Sequence, residues 1–235
     1  MALKVFIGAG HGGSDPGAVA NGFKEKDLNL VIATACAEEL ERHGISVLMS
    51  RTKDDSESLT EKVNECNAFN PKLALDIHNN AGGGDGAEVF HHHGGGTGKT
   101  LANNILTEVV KIGQNSRGAK IKKNASGKDA FVFIRNTVAP AVIVECAFLD
   151  NKKDVQIIDT AAEQKAMGVA IAKGVLKTLG IVYKPVAKPV DKPVEKPVSN
   201  KLYRVQVGAY REKANAEKML AGLKNAGFDG IVVEG

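Results

Sequence analysis

A chain of 235 residues with 43% apolar residues is long enough to bury one full-sized core and something small beside it. A net charge of +4, with no basic run and no aromatic-basic interleaving, sets nucleic acid aside, although a mildly basic surface suits an anionic polymer. The three cysteines, Cys36, Cys66 and Cys146, are odd in number and form no CxxC pair, so they exclude a disulfide framework; no apolar run approaches the roughly 20 residues of a membrane span.

The opening Met1-Ala-Leu-Lys-Val-Phe-Ile runs straight into a strand at residues 4–7, and this reading leaves no room for a signal peptide. A second short strand is predicted at 46–49. Between them Leu28, Val31, Ile32, Ala35 and Leu40 recur at helical spacing, and Gly44 follows as a C-cap would. A helix is predicted over 59–69, strands over 73–77 and 86–91, and a helix over 100–112. Strands at 131–134 and 141–146 follow, then a last helix carrying Ala161, Met167, Val169, Ile171 and Val175. Alternation of this kind predicts an α/β fold, a twisted and mostly parallel sheet with helices on both faces.

Residues 184–198 read KPVAKPVDKPVEKPV. Proline at every fourth position blocks helix and central strand, so this segment is predicted to be an extended spacer of about 3.1 Å per residue. The chain therefore divides into a domain at 1–180, a linker at 181–199 and a small α+β piece at 200–235. In that piece strands at 202–207 and 230–233 flank a helix over 213–226, with Gly227 ending the helix. A unit of about 35 residues is at the edge of what folds alone.

Three segments carry chemistry. Gly8-Ala9-Gly10-His11-Gly12-Gly13-Ser14-Asp15-Pro16-Gly17 presents a histidine on a glycine-dense loop after a strand, where α/β sheets gather their sites. It contains no GK[ST], so it is not a P-loop. Leu75-Asp76-Ile77-His78-Asn79-Asn80-Ala81 repeats the layout, and Val142-Ile143-Val144-Glu145 ends an apolar run on a carboxylate that is costly to bury unless paired or metal-bound. His11, His78 and Glu145 could thus share one rim. Zinc hydrolases use three protein ligands, often two histidines and a glutamate, and need a separate base for the water. A second glutamate is then required, and Glu25 stands at the start of the first long helix; its plainer reading is a first-turn acid favoured by the helix dipole.

Taken in order, GHGGSDPGA, the Glu25 segment, Ser50-Arg51-Thr52, Ile77-His78-Asn79-Asn80-Ala81, Gly86-Ala87-Glu88-Val89, Arg117-Gly118-Ala119, Arg135 with Pro140, and Val144-Glu145-Cys146-Ala147-Phe148-Leu149-Asp150-Asn151 resemble the zinc-dependent N-acetylmuramoyl-L-alanine amidases of bacteria and their phages. The resemblance spans residues 3–180 and implies a phosphorylase/hydrolase-like arrangement. It implies zinc on His11, Glu25 and His78, Glu145 as the group that activates or stabilises the attacking water, and peptidoglycan as substrate. Lys62 stands where the family usually has an arginine, and Cys146 where a small hydroxyl residue is common. The last piece resembles half of a SPOR-type wall-binding module through Tyr203-Arg204-Val205-Gln206-Val207-Gly208-Ala209-Tyr210, Ala214-Asn215-Ala216, Leu220 and Gly227-Phe228. A half-module with unpaired strands could pair with a second copy, so a homodimer through this piece is an expectation.

Asn80 and Arg51 are candidate substrate contacts; their plainer roles are a turn residue and a loop anchor. His91-His92-His93 reads as a polar wall of the substrate groove in which only His91 and His93 share a strand face. Cys146 reads as a buried filler rather than a nucleophile. Two rival functions are a zinc carboxypeptidase acting on wall peptides and a non-catalytic wall-binding protein. The expected location is synthesis in the cytoplasm without a leader and action at the cell wall, with secretion as the alternative.

Overall fold

β1 (Lys4–Ala9) is apolar and buried from Val5 onward, as a central strand covered on both sides must be. It opens a computed structural model that describes residues 3–185, 206–225 and 227–234. After β1 a short hairpin, β2 (Val19–Ala20) and β3 (Phe23–Lys24), leads into α1 (Glu25–Arg42). Gly44, at φ +78°, ends that helix by donating to the Glu41 carbonyl. β4 (Ser46–Met49) follows, then α2 (Leu59–Phe69), which starts on a capping box of Ser58 and Glu61 and stops at Asn70 in the left-handed region. Next come β5 (Leu73–Asn80), β6 (Ala87–His91), α3 (Gly96–Val110) and β7 (Ser116–Lys120). The first unit closes with α4 (Val132–Asn136), β8 (Ala141–Phe148), α5 (Lys152–Val155) and α6 (Ala161–Thr178), the last begun by a Thr160–Glu163 capping box.

The sheet order is β4-β1-β5-β8-β6-β7. All neighbours are parallel except β6, which runs antiparallel to β8. On one face Val5, Ile7, Leu75, Ile77, Val142 and Val144 pack under α1, α3 and α6. On the other, Phe6, Ala74 and Ile143 pack under a smaller layer, Val63 and Cys66 of α2 with Phe133 and Ile134 of α4. The expected α/β class, mostly parallel with helices on both faces, is what the chain adopts. α6 lies close to two helices because two of its glycines permit it: a Cβ on Gly168 would sit 2.5 Å from the Ile32 carbonyl oxygen, and one on Gly174 2.5 Å from the Ile105 Cα.

Some local expectations fail. Residues 131–134 were expected as a strand, yet Phe133 and Ile134 lie in α4, their side chains wedged against the sheet, and Phe131 meets Phe90 at a ring-centroid distance of 4.9 Å. Apolar β-formers there pack on the sheet instead of joining it, because tertiary context overrides local propensity.

The chain divides between Pro185 and Val186. In the second unit α7 (Lys213–Asn225) forms as expected. Residues 230–233 carry no strand, since among the described residues they have no ladder partner. Most of the Lys-Pro-Val spacer and residues 202–205, on which the strand and the pairing of two copies depend, lie outside the described residues.

Candidate active site

Alternation along β5 places Asp76, His78 and Asn80 on one face of the sheet, the face that α2 and α4 cover only lower down. Register carries the row sideways: His78 pairs with Glu145 on β8, and Glu145 with Glu88 on β6. Cys146 points to the opposite face, wholly buried among the helices, where burial pushes its thiol well above the usual range; it is a filler and not a nucleophile.

His11 follows β1 in the left-handed region at φ +60° and turns back toward Glu25, the first residue of α1. Its Nε2 lies 3.1 Å from Glu25 Oε2, and His78 Nδ1 lies 2.9 Å from Glu25 Oε1. The glycine density of the loop has a steric cause. A Cβ on Gly10 would lie 2.2 Å from His78 Cε1, and one on Gly17 would lie 2.5 Å from Glu25 Oε2. Each histidine is also gripped from behind. His11 Nδ1 meets Asp15 Oδ2 at 2.7 Å, and His78 Nε2 meets Asp76 Oδ2 at 3.4 Å. Such outer carboxylates fix ring orientation and tautomer at metal sites. Lys62, standing where an arginine is usual, still reaches both Asp76 oxygens at 3.0 and 3.3 Å, in a fully enclosed pair. Asp15 and Asp76 were not singled out from the sequence, although the Asp76–His78 spacing of two already places them on one strand face.

Burial alone would raise the Glu25 carboxyl, but the His11 and His78 rings and the Ala18 amide outweigh it and hold it well below the usual carboxylate range. Burial likewise opposes charge on His78, yet Asp76 and Glu25 push its pKa up to about 10; Glu25, against burial, also raises His11. For Glu145 burial wins, against the pull of His78 and with the repulsion of Glu25, Glu88 and Asp76, and its pKa rises to about 7. Its Oε2 is buried with no hydrogen-bond partner among the described residues. The donor atoms of His11, Glu25 and His78 lie within 4.8 Å of one another. Two imidazoles and a carboxylate, with outer partners in place, fit a zinc ion that keeps one position open.

The other candidates fall elsewhere. Arg51 is buried and gives its guanidinium to the carbonyls of Ala9, Gly10, Lys26 and Lys53 at 2.7 to 3.2 Å, so it anchors the loop and has little left for substrate. The Asn80 amide donates to Glu88 Oε1 at 3.0 Å, and its oxygen accepts from the Ala81 N–H. The histidine run does not wall the groove. β6 is antiparallel, so its end at His91, opposite Val142, is at the far rim from Glu145. His92 and His93 lie past the strand, and both turn onto Asp129 Oδ2, at 3.1 and 2.7 Å. The three offer a second group of metal-type donors. The Gly94 N–H, however, donates to His92 Nδ1 at 3.0 Å, which leaves the neutral ring's proton on Nε2, aimed at Asp129. This cluster clasps the loop before α4.

The family model for N-acetylmuramoyl-L-alanine amidase matches residues 5–177. The chain belongs to this family. Across 98% of its length the amidase is 36% identical to N-acetylmuramoyl-L-alanine amidase CwlM of Bacillus licheniformis, of which the match covers 85%. It is 34% identical to the sporulation-specific N-acetylmuramoyl-L-alanine amidase of Bacillus subtilis, again over 98% of this chain, covering 84% of the relative. Among solved structures, Cwp6 from Clostridium difficile superposes with a TM-score of 0.75 at 38% identity, over 76% of this chain and 30% of that one. A SPOR domain model matches residues 174–234 of the amidase. That likeness begins inside α6, on Gly174, Val175 and Leu176, which are already buried in the first unit, and not at residue 200.

Proposed function

We propose that this amidase cleaves the amide between the lactyl group of N-acetylmuramic acid and L-alanine in peptidoglycan with zinc held by His11, Glu25 and His78, and that Glu145 is its general base. The observation that carries this reading is the unpartnered Oε2 of Glu145, on the strand next to the three-donor set and in register with His78. Zinc, when bound, supplies a Lewis acid that acidifies water and polarises the scissile carbonyl. Asp15 and Asp76 keep the outer ring nitrogens protonated, so the inner nitrogens stay available as donors. Glu145, with a pKa near 7, takes a proton from the attacking water and returns it to the leaving amine of L-alanine. The SPOR match supports residues 206–234 as part of a wall-binding module that keeps the catalytic unit near its polymer.

Digestion of purified peptidoglycan with mass analysis of the products tests the reaction. New free L-alanine amino termini on intact glycan strands are expected, lost on chelation and restored by zinc. Glu145→Gln is expected to bind zinc at wild-type stoichiometry and to lose at least about a hundredfold in rate. A Glu145→Gln protein without zinc would make Glu145 a ligand and overturn the assignment.

A further inference from the structure

The polar row across the sheet continues past Glu145. Glu88, its cross-strand neighbour, is only 5% exposed. One of its oxygens, Oε1, accepts from Asn80; the other, Oε2, accepts from Arg117 Nε at 2.8 Å and from Lys120 Nζ. One carboxylate thus meets two cations and leaves one positive charge locally unmatched. Arg117 is also fixed in direction. Its guanidinium carbon lies 4.9 Å from the centroid of the Phe148 ring, and that ring is backed by Gly84, whose added Cβ would stand 2.2 Å from Phe148 Cζ. Only Nε of Arg117 is engaged: among the described residues its two terminal amino groups have no partner, and the side chain is 37% exposed. Lys120 is 34% exposed beside it.

A guanidinium held by Nε and stacked on a ring, with its terminal fork free, is prepared for a planar anion at little further ordering cost. In peptidoglycan the carboxylates belong to the stem peptide. Arg117 and Lys120 belong to β7, two strand spacings of about 4.8 Å from β8, but both side chains reach back to Glu88 on β6, and an extended peptide advances about 3.5 Å per residue. The cations therefore stand about two residues from a bond cut beside Glu145.

We propose that Arg117 and Lys120 form a carboxylate subsite that binds the free α-carboxyl of the stem residue after L-alanine, with Glu88 and Phe148 as positioning residues. The inference rests on the amidase reading above. It makes the enzyme selective for stems whose second residue is isoglutamate over stems where that carboxyl is capped as isoglutamine.

The test uses the full zinc-loaded chain on two peptidoglycan preparations from one strain, with and without amidation of that carboxyl. Initial rates of L-alanine amino-terminus release are compared. The wild type is expected to favour the free acid by about tenfold, the scale of one charge-assisted contact. Arg117→Gln should bring the ratio near one, slowing the free-acid digestion about tenfold more than the amidated one. Arg117→Lys should restore only part of the preference, because a point charge lacks the fork. Lys120→Gln, at the neighbouring cation, should lower it partway. Equal wild-type rates on the two preparations, or a ratio unmoved by Arg117→Gln, overturn the subsite. Failure to release L-alanine termini from either preparation overturns the amidase reading and the subsite with it.

Discussion

Gly10→Ala tests the claim that the loop glycines exist to admit His78. The backbone at Gly10 is not in the left-handed region, so alanine brings no conformational penalty of its own. What it brings is one methyl group 2.2 Å from Cε1, 2.4 Å from Nε2 and 2.5 Å from Nδ1 of the ring. Ordinary carbon contacts begin near 3.5 Å, so something must yield by about 1 Å. The backbone cannot easily do so, since the Gly10 N–H donates to the Ile77 carbonyl at 2.9 Å and its carbonyl accepts from Asn29 and Arg51. The ring must move, away from its contacts with Glu25 and Asp76. A displacement of about 1 Å in a reacting constellation costs on the order of a hundredfold in rate, and overpacking costs about 1–3 kcal/mol of stability. Zinc affinity, measured by competition with a chromogenic chelator, should fall together with the rate of peptidoglycan clearing, while far-UV circular dichroism stays that of the wild type. A folded Gly10→Ala enzyme with zinc affinity and rate within threefold of wild type would refute the steric account.

Zinc binding should be linked to pH. Both rings face carboxylates on both nitrogens; Asp76 and Glu25 push His78 up to about 10, so at pH 7 the metal-free site holds His78 as imidazolium, and His11 is raised by Glu25. An ion needs the inner nitrogens bare and should expel the His78 proton, so apparent affinity rises at least about tenfold per pH unit from 6 to 8; calorimetry in buffers of different ionisation enthalpy counts the protons released, and a pH-independent affinity contradicts the scheme. Gly168→Ala should cost about 1–3 kcal/mol and lower Tm by roughly 2–12 °C, because its methyl would meet the Ile32 carbonyl of α1; an unchanged Tm would show that the helices separate freely.

What the sequence made legible was whatever short-range pattern dictates. β4 and α2 fall at the residues where apolar patterning put them, and β1 and β8 differ from expectation only in reaching further into the site. β7 was missed because Ser116-Arg-Gly-Ala-Lys120 has neither the apolar content nor the propensity of a strand. It is one by virtue of its partner β6, to which it pairs across a register shift beside Gly118 at φ +87°. His11 and His78 were visible as histidines at strand ends and Glu25 as an acid at a helix start whose role came through the resemblance, and the structure brings their donor atoms together. The carboxylates behind them were not, since Asp15 owes its contact to a left-handed turn at His11 and Asp76 owes its charge partner to α2. For Arg51 the sequence left loop anchor and substrate contact side by side, and its buried carbonyl partners fit the anchor.

The uneven covering of the sheet has a consequence for the kind of molecule that can be cut. α2 and α4 stop short of the upper part of their face, and the His11 and His78 side chains keep 26% and 20% of their surface open to solvent. A deep pocket would suit a small diffusing substrate, which can enter end-first and turn. A cross-linked mesh cannot enter anything; its strands are tied at both ends, and the enzyme must come to them. A reactive row laid along an open sheet face can be pressed against an insoluble wall, like a blade whose edge is its flat, and can reach bonds in the middle of a strand without waiting for a free end.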